Sequence, residues 1–293
     1  MKLVQSFWSK PFLGNSTGSL LSRNNGGWLN SKCFYMSWAL SCLQLRKIYP
    51  DMNLELVTDS FGKKLLINRL KLPYDQVHLE LDPLSRFSES LWAIGKIKTY
   101  SIQSSPFIHV DGDVFIWDDV LSNLFKSDLC VQSIDRQARY YARTSKKIID
   151  LFGYIPDDLL DHLKSKQIFG VNAGVIGGSN IEFFKNYTSF AMSFVNKNIG
   201  ALKYLDQEYF NMFYEQFLFS FWQRKNKLKL TTLFDNLSAD FNEIVDMTMI
   251  PIQKYNHIVG LAKSNIIINE QVCLRLAIDY PVYYERINNM DFG

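Results

Sequence analysis

The segment Pro106-Phe107-Ile108-His109-Val110-Asp111-Gly112-Asp113-Val114-Phe115-Ile116-Trp117 constrains this chain more than any other. A run rich in β-branched and aromatic residues is suited to a buried strand, yet this one carries two aspartates one glycine apart. An ionised carboxylate is costly to bury alone, so the pair calls for a cation, a basic partner or a strand end that opens into a cleft. The pattern predicts one strand from Phe107 to Trp117. Alternate residues share a face, so Asp111 and Asp113 grip one hard cation while Val110, Val114 and Ile116 stay in the core. Gly112 leaves room for a ligand to approach the backbone. The plain alternative, aspartates capping a following helix, is served better by Asp118 and Asp119.

Around this strand, strand-like and helical patterns alternate. Lys2 to Trp8 reads as a strand, about Ser31 to Ile48 as a helix, Leu54 to Asp59 as a strand, and the stretch through Leu65 to Leu70 as a helix. Val77 to Leu81, Asp128 to Ser133, Ile168 to Gly178 and Lys229 to Phe234 supply further strands, and Leu91 to Ile102 a helix. This rhythm predicts an α/β fold with a nucleotide-binding, Rossmann-like, mostly parallel sheet flanked by helices. It reads as a single domain over residues 1–293, with a core to about 265 and a helical C-terminal extension from about 266 to 293. Asp206 is placed to cap a helix on which Phe210, Phe213, Phe217 and Phe221 form a core stripe. The Gly-, Asn- and Ser-rich stretch Ser9 to Gly27 reads as a long ligand-contacting loop after the first strand.

At 293 residues, 47% of them hydrophobic, disorder is excluded. A net charge of +3 with scattered basic residues speaks against a nucleic-acid partner. The N-terminus turns polar too early for a signal peptide and no stretch is long and apolar enough to span a membrane, so the expected location is cytoplasmic. Peripheral contact at the inner membrane face through the aromatic and then basic stretch Phe217 to Leu230 is an alternative to a buried helix with a solvated end. Cys33, Cys42, Cys130 and Cys273 form no metal or redox motif and read as buried thiols.

Oxygen ligands suit Mg²⁺ or Mn²⁺, and His257, in Tyr255-Asn256-His257-Ile258-Val259-Gly260-Leu261-Ala262-Lys263, is the candidate third ligand. Lys263 reaches phosphate oxygens across the bend at Gly260. The pair Val110-Asp111-Gly112-Asp113 and His257-x-x-Gly260-x-x-Lys263 resembles the metal and diphosphate motifs of glycosyltransferases of family eight, enzymes of the GT-A fold. Val171-Asn172-Ala173-Gly174-Val175 resembles the family's Asn-Ala-Gly strand at the sugar pocket, and Asp206-Gln207 followed by Asn211 its Asp-Gln segment near the reacting carbon. The four segments follow the family's order over roughly residues 1–265.

The resemblance implies a retaining, metal-dependent transferase that moves a sugar from a nucleotide-sugar, a UDP-sugar in this family, to a saccharide, glycolipid or glycoprotein acceptor. By the same resemblance Asp111, Asp113 and His257 hold Mn²⁺ or Mg²⁺, and Lys263 contacts the diphosphate with Gly260 and Gly112 beside it. Asn172, Asp206 and Gln207 then line the sugar, with Gln207 or Asp206 nearest the reacting carbon, and Lys96 or Lys98 faces the donor phosphates. Ser264 stands where the family usually has proline, and Gln5-Ser6 ends the first strand without an aspartate for the nucleoside. An inverting enzyme needs a carboxylate base, for which Glu208, Glu215 and Asp135 are available, each read as a surface or helix-capping residue. Two alternatives stay open: a metal-dependent nucleotidyltransferase or phosphohydrolase, and a catalytically degenerate nucleotide-sugar-binding protein.

Overall fold

The structure is a computed structural model that describes residues 1–14, 24–135, 138–165, 168–235, 244–248, 250 and 252–290. It has two compact units, one of Met1–Glu89, His109–Ser122 and Asp240–Gly293, the other of Ser90–Ile108 and Asn123–Ala239. Strands β1 (Lys2–Phe7), β2 (Leu54–Thr58) and β3 (Gln76–Leu79) of the first unit run parallel, with Leu3 opposite Leu54 and Glu55 opposite Gln76. Leu3, Val4, Leu54, Leu56 and Val57 are buried, the near-continuous apolar run of parallel strands covered on both faces.

Helix α1 (Ser9–Leu13) opens the stretch expected to be a long loop, whose residues 15–23 lie outside the described ones. Helix α2 (Ser31–Ile48) starts where the side chain of Asn30 accepts the Cys33 amide, and buries nearly every residue from Phe34 to Leu45. Phe7, Phe12, Phe34 and Trp38 form its aromatic seam, with ring centroids 4.7 to 5.9 Å apart. A short α3 (Ser60–Gly62) runs on as π-turns over Lys63–Arg69. The C-terminal helices α10 (Ile266–Asp279) and α11 (Pro281–Asn288) cover α2, and Gln44 Nε2 donates to Asp279 Oδ2 at 3.1 Å. Cys42 and Cys130 are buried as expected, whereas Cys33 and Cys273 are half-buried.

The single strand expected over Phe107–Trp117 is broken in two. Strand β4 (Phe107–Val110) stops before the aspartates, and β5 (Val114–Ile116) turns away to pair antiparallel with β9 (Tyr255–His257). Asp-Gly is turn-forming, and the Val114 amide closes the turn on Asp111 O at 3.1 Å. The division between the units falls within β4, so strand order reads β3-β2-β1-β4 in the first and β4-β7-β6-β8 in the second.

In the second unit β6 (Cys130–Asp135) is antiparallel to β7 (Gly170–Gly178) and parallel to β8 (Thr231–Thr232), a remnant of the longer strand expected over Lys229–Phe234. Helices α4 (Ile94–Ser101), α5 (Ala138–Leu151), α6 (Asp157–Lys164), α7 (Ile181–Lys197) and α8 (Gln207–Met212) accompany them. π-Turns over Phe213–Phe217 join α8 to α9 (Leu218–Lys225). The α/β expectation of mostly parallel strands flanked by helices holds. Asp206 caps α8 by accepting the Glu208 and Tyr209 amides, and Phe210, Phe213, Phe217 and Phe221 are core.

Candidate metal centre

The two aspartates are placed by their turn rather than by a strand. Ser37 and Ser41 of α2 direct their hydroxyls to Gly112 O and Asp111 O, each at 3.4 Å. A Cβ on Gly112 would lie 2.5 Å from the Trp38 ring, so the space on that side is filled by indole and glycine is required by packing. The β5–β9 ladder sets Val114 opposite His257, and the Ile258 amide donates to Asp113 O at 3.0 Å. At the other end of the ladder, Trp117 Nε1 donates to Asn256 Oδ1 at 2.7 Å, and Asn256 Nδ2 donates to Ile244 O and Asp246 O.

Asp111, Asp113 and His257 each present one ligating atom, and these atoms lie within 4.8 Å of one another. Asp113 Oδ1 faces His257 Nε2 at 3.5 Å, is buried, and accepts no hydrogen bond. Asp113 Oδ2 is 2.5 Å from Lys263 Nζ. Lys263 is itself buried, on the 3₁₀ turn Gly260–Ser264 that follows β9, and its carbonyl accepts Asn269 Nδ2 at 2.7 Å. Gly260 takes the left-handed φ of +53°, with open space where a side chain would stand.

One neighbour was not among the sequence candidates. His109, on β4 and 1% exposed, shares a 2.8 Å hydrogen bond between its Nε2 and Ser6 Oγ, while its Nδ1 lies 3.6 Å from Asp111 Oδ1. Its signal was its position two residues before Asp111, on the same face of the chain. The Gln5-Ser6 end of β1 is thus occupied: Ser6 meets His109, Gln5 Nε2 donates to Ser41 Oγ at 3.0 Å, and Gln5 Oε1 accepts Tyr74 OH at 2.7 Å.

Burial alone would discourage ionisation of Asp113. The Lys263 ammonium and then the His257 imidazole outweigh it and hold the carboxyl well below the usual carboxylate range. The donor set is therefore one buried carboxylate oxygen lacking a hydrogen bond, an imidazole nitrogen facing it, and a second carboxylate. Adjacent ligands of an octahedral Mg²⁺-like ion sit roughly 3 Å apart, so a small contraction of the 3.5 Å spacing accommodates one. The residues fit a divalent cation.

The remaining candidates belong to the second unit. Lys96 Nζ is 2.7 Å from Glu215 Oε1 and donates to Ala173 O at 3.3 Å, while Lys98 is half-buried on the same helix. Asn172 Oδ1 accepts the Gly174 amide at 2.9 Å. Gln207 opens α8, and its carbonyl accepts Asn211 Nδ2 at 2.6 Å. Asn211, wholly buried, also donates to Ser90 O and accepts the Ala93 amide and Tyr214 OH. Glu215, read from sequence as a surface or capping residue, is instead 0% exposed, because the π-turns direct it inward between aromatic residues toward Lys96 and Tyr100.

The oxygens of Asp59 accept the Ser9 amide and hydroxyl and the Gly62 amide. Beside it, at the carboxyl ends of β1 and β2, lies a cavity of about 320 Å³ lined by Trp8, Leu13, Phe61 and Glu89 among others. Among the described residues no helix is long and apolar enough to cross a membrane.

A family model described as a family of unknown function (DUF6734) matches residues 1–290. No curated protein matches the sequence. Among solved structures, the galactosyltransferase LgtC in complex with donor and acceptor sugar analogues is similar at 12% identity and a TM-score of 0.48, covering 100% of this chain and 97% of that one. The glycosyltransferase GlyE of Streptococcus pneumoniae TIGR4 is similar at 13% identity and a TM-score of 0.48, covering 97% of this chain and 63% of that one.

Proposed function

The chain belongs to the DUF6734 family, and from its site we propose that it is a metal-dependent glycosyltransferase drawing on a nucleotide-sugar donor, a UDP-sugar, with retention of anomeric configuration. The observation that carries this reading is the half-buried Asp113 carboxylate, whose Oδ1 is buried. One of its oxygens is paired with Lys263, and the other faces His257 without a hydrogen bond, with Asp111 in reach. A divalent cation bound there supplies Lewis-acid stabilisation to a departing diphosphate.

The protein's own residues do the rest. Lys263, whose ammonium meets Asp113 Oδ2 and Gly26 O, would donate to diphosphate oxygens if Asp113 shared its charge with a bound cation. Gly260, with no side chain and open space beside it, leaves the approach clear. His109, anchored by Ser6, places its Nδ1 3.6 Å from Asp111 Oδ1. The apolar faces of Trp8 and Phe61 offer a base a place to lie. Gln207 and Asp206 supply the amide and carboxylate for an oxocarbenium-like sugar, in keeping with their motif. The acceptor is a saccharide, a glycolipid or a glycoprotein.

The test is the thermal midpoint with UDP, with Mn²⁺ and with both. A rise that needs both components and is absent from Asp113→Asn supports the reading. Release of free sugar from UDP-glucose or UDP-galactose above the rate with metal alone separates an enzyme from a binder. A shift with neither UDP nor any other nucleotide overturns it.

A further inference from the structure

Helices α2 and α10 pack against one another, and both belong to the first unit. Toward their C-terminal ends the contact is polar: Gln44 Nε2 meets Asp279 Oδ2 at 3.1 Å, and Tyr280 OH donates to Leu43 O at 3.2 Å. On the N-terminal side of that contact each helix contributes a half-buried thiol, Cys33 from α2 and Cys273 from α10, beside one another and unbridged. We propose that Cys33 and Cys273 form a reversible thiol–disulfide site, with Cys33 the thiol that attacks a hydroperoxide and Cys273 the thiol that resolves the product. Nothing in this depends on what the metal centre binds.

The position of Cys33 is the first argument. It is the third residue of α2, in the first turn, where unpaired amides and the helix dipole favour a negative sulfur. The Cys273 thiol, and after it the Lys32 ammonium and the Asn30 side chain, lower the Cys33 pKa to about 7 against the opposing effect of burial. Much of Cys33 is therefore thiolate, the reactive form, near neutral pH. Access is the second argument. Cys33 and Cys273 keep part of their surface in solvent, whereas Cys42 and Cys130 are buried and their thiols are pushed up to about 12 by that burial. The third is the division of roles: interaction with the Cys33 sulfur, then burial, raises the Cys273 thiol above the usual range. Cys273 thus keeps its proton until Cys33 has reacted, and a neutral sulfenic acid no longer imposes that restraint.

The chemistry balances with hydrogen peroxide as oxidant. The Cys33 thiolate attacks one peroxide oxygen, the O–O bond breaks, and hydroxide leaves to take up the proton that Cys33 had released. Cys273 then attacks the sulfenic sulfur; the S–S bond forms, the S–O bond breaks, and the departing hydroxide takes the Cys273 proton. Two thiols and one peroxide give one disulfide and two waters. The two cysteines stand about 240 residues apart, so the bridge removes much freedom from the unfolded chain. It also fastens α2 to the helix whose Asn269, one turn before Cys273, holds the Lys263 carbonyl at 2.7 Å.

The test uses the full chain and hydrogen peroxide. Remaining thiols are alkylated and the unreduced digest is read by mass spectrometry. We expect a linked peptide containing Cys33 and Cys273, loss of two of the four thiols, recovery of both with dithiothreitol, and a thermal midpoint several degrees higher in the oxidised form. Conversion of Cys33 to the sulfinic acid with Cys273 still free overturns the pairing, as does a failure of either to react or a linkage between two chains on an unreduced gel. An unchanged midpoint overturns the fastening of α2 to α10. Cys273→Ser should stop at a Cys33 sulfenic acid, trapped with dimedone, and Cys33→Ser should oxidise at Cys273 several-fold more slowly than the wild type. Equal rates of Cys273 oxidation in the two overturn the role of Cys33 as the attacking thiol.

Discussion

Each unit pairs a lysine with a carboxylate that has one buried oxygen left over, buried Lys263 with half-buried Asp113 in the first and half-buried Lys96 with buried Glu215 in the second. Their neighbours differ. The spare oxygen of Asp113 faces an imidazole and lies near a second carboxylate, whereas the carboxylate of Glu215 is set among tyrosines and phenylalanines. The same ion pair therefore serves two ends. Beside Asp113 the other converging groups are metal-ligating types; beside Glu215 they are the Lys96 ammonium and the Tyr100 hydroxyl.

This contrast can be broken most directly at Asp113. Asp113→Ala should abolish the metal-dependent UDP shift and leave Lys263 buried without its partner, a cost of about 3–5 kcal/mol, read as a fall in the urea midpoint. Asn211→Ala strands the Ala93 amide and the Ser90 and Gln207 carbonyls. It should cost about 3 kcal/mol by the same measurement, yet spare the UDP shift in whatever fraction remains folded. Gly112→Ala should cost about 2 kcal/mol, because Trp38 must move to admit the methyl group.

Acid sharpens the same comparison. The folded carboxyl of Asp113 lies below its unfolded value, so its contribution is complete above the unfolded pKa of about 4 and is lost as pH falls from there. Urea midpoints of metal-free protein should decline more steeply between about pH 5 and pH 3 in the wild type than in Asp113→Asn. Smallest is Gly260→Ala. Its Cβ meets nothing, and only the left-handed backbone is penalised, at about 1 kcal/mol in thermal unfolding.

What could be read from sequence depended on range. Helix α2 was legible because its long apolar pattern is local, and so were β1, β2 and β7. The Phe107–Trp117 run was misread as one strand because its apolar residues outweighed the Asp111-Gly112 turn signal within it. The pairing that draws Val114–Ile116 away involves Tyr255–His257, a strand of three residues with no pattern of its own. Asp111, Asp113 and His257 were named together from ligand chemistry and then from a resemblance, and the structure brings their ligating atoms within 4.8 Å. Glu215 left a trace that was not used: a carboxylate within a phenylalanine stripe should itself have raised the question of a buried partner. Which partner could not be read, since Lys96 and Tyr100 lie more than a hundred residues earlier.

The two-stranded β5–β9 ladder also carries a consequence for assembly. Its strands are separated by nearly half of the chain, so closing it demands a large loss of chain entropy that local contacts cannot repay. During synthesis Asp111 and Asp113 emerge long before His257 and Lys263, leaving the nascent chain with an uncompensated acidic turn until the last quarter arrives. Capture of a divalent ion should therefore report the final step of folding, and its rate in a refolding experiment should follow ladder closure rather than the earlier collapse of the parallel strands.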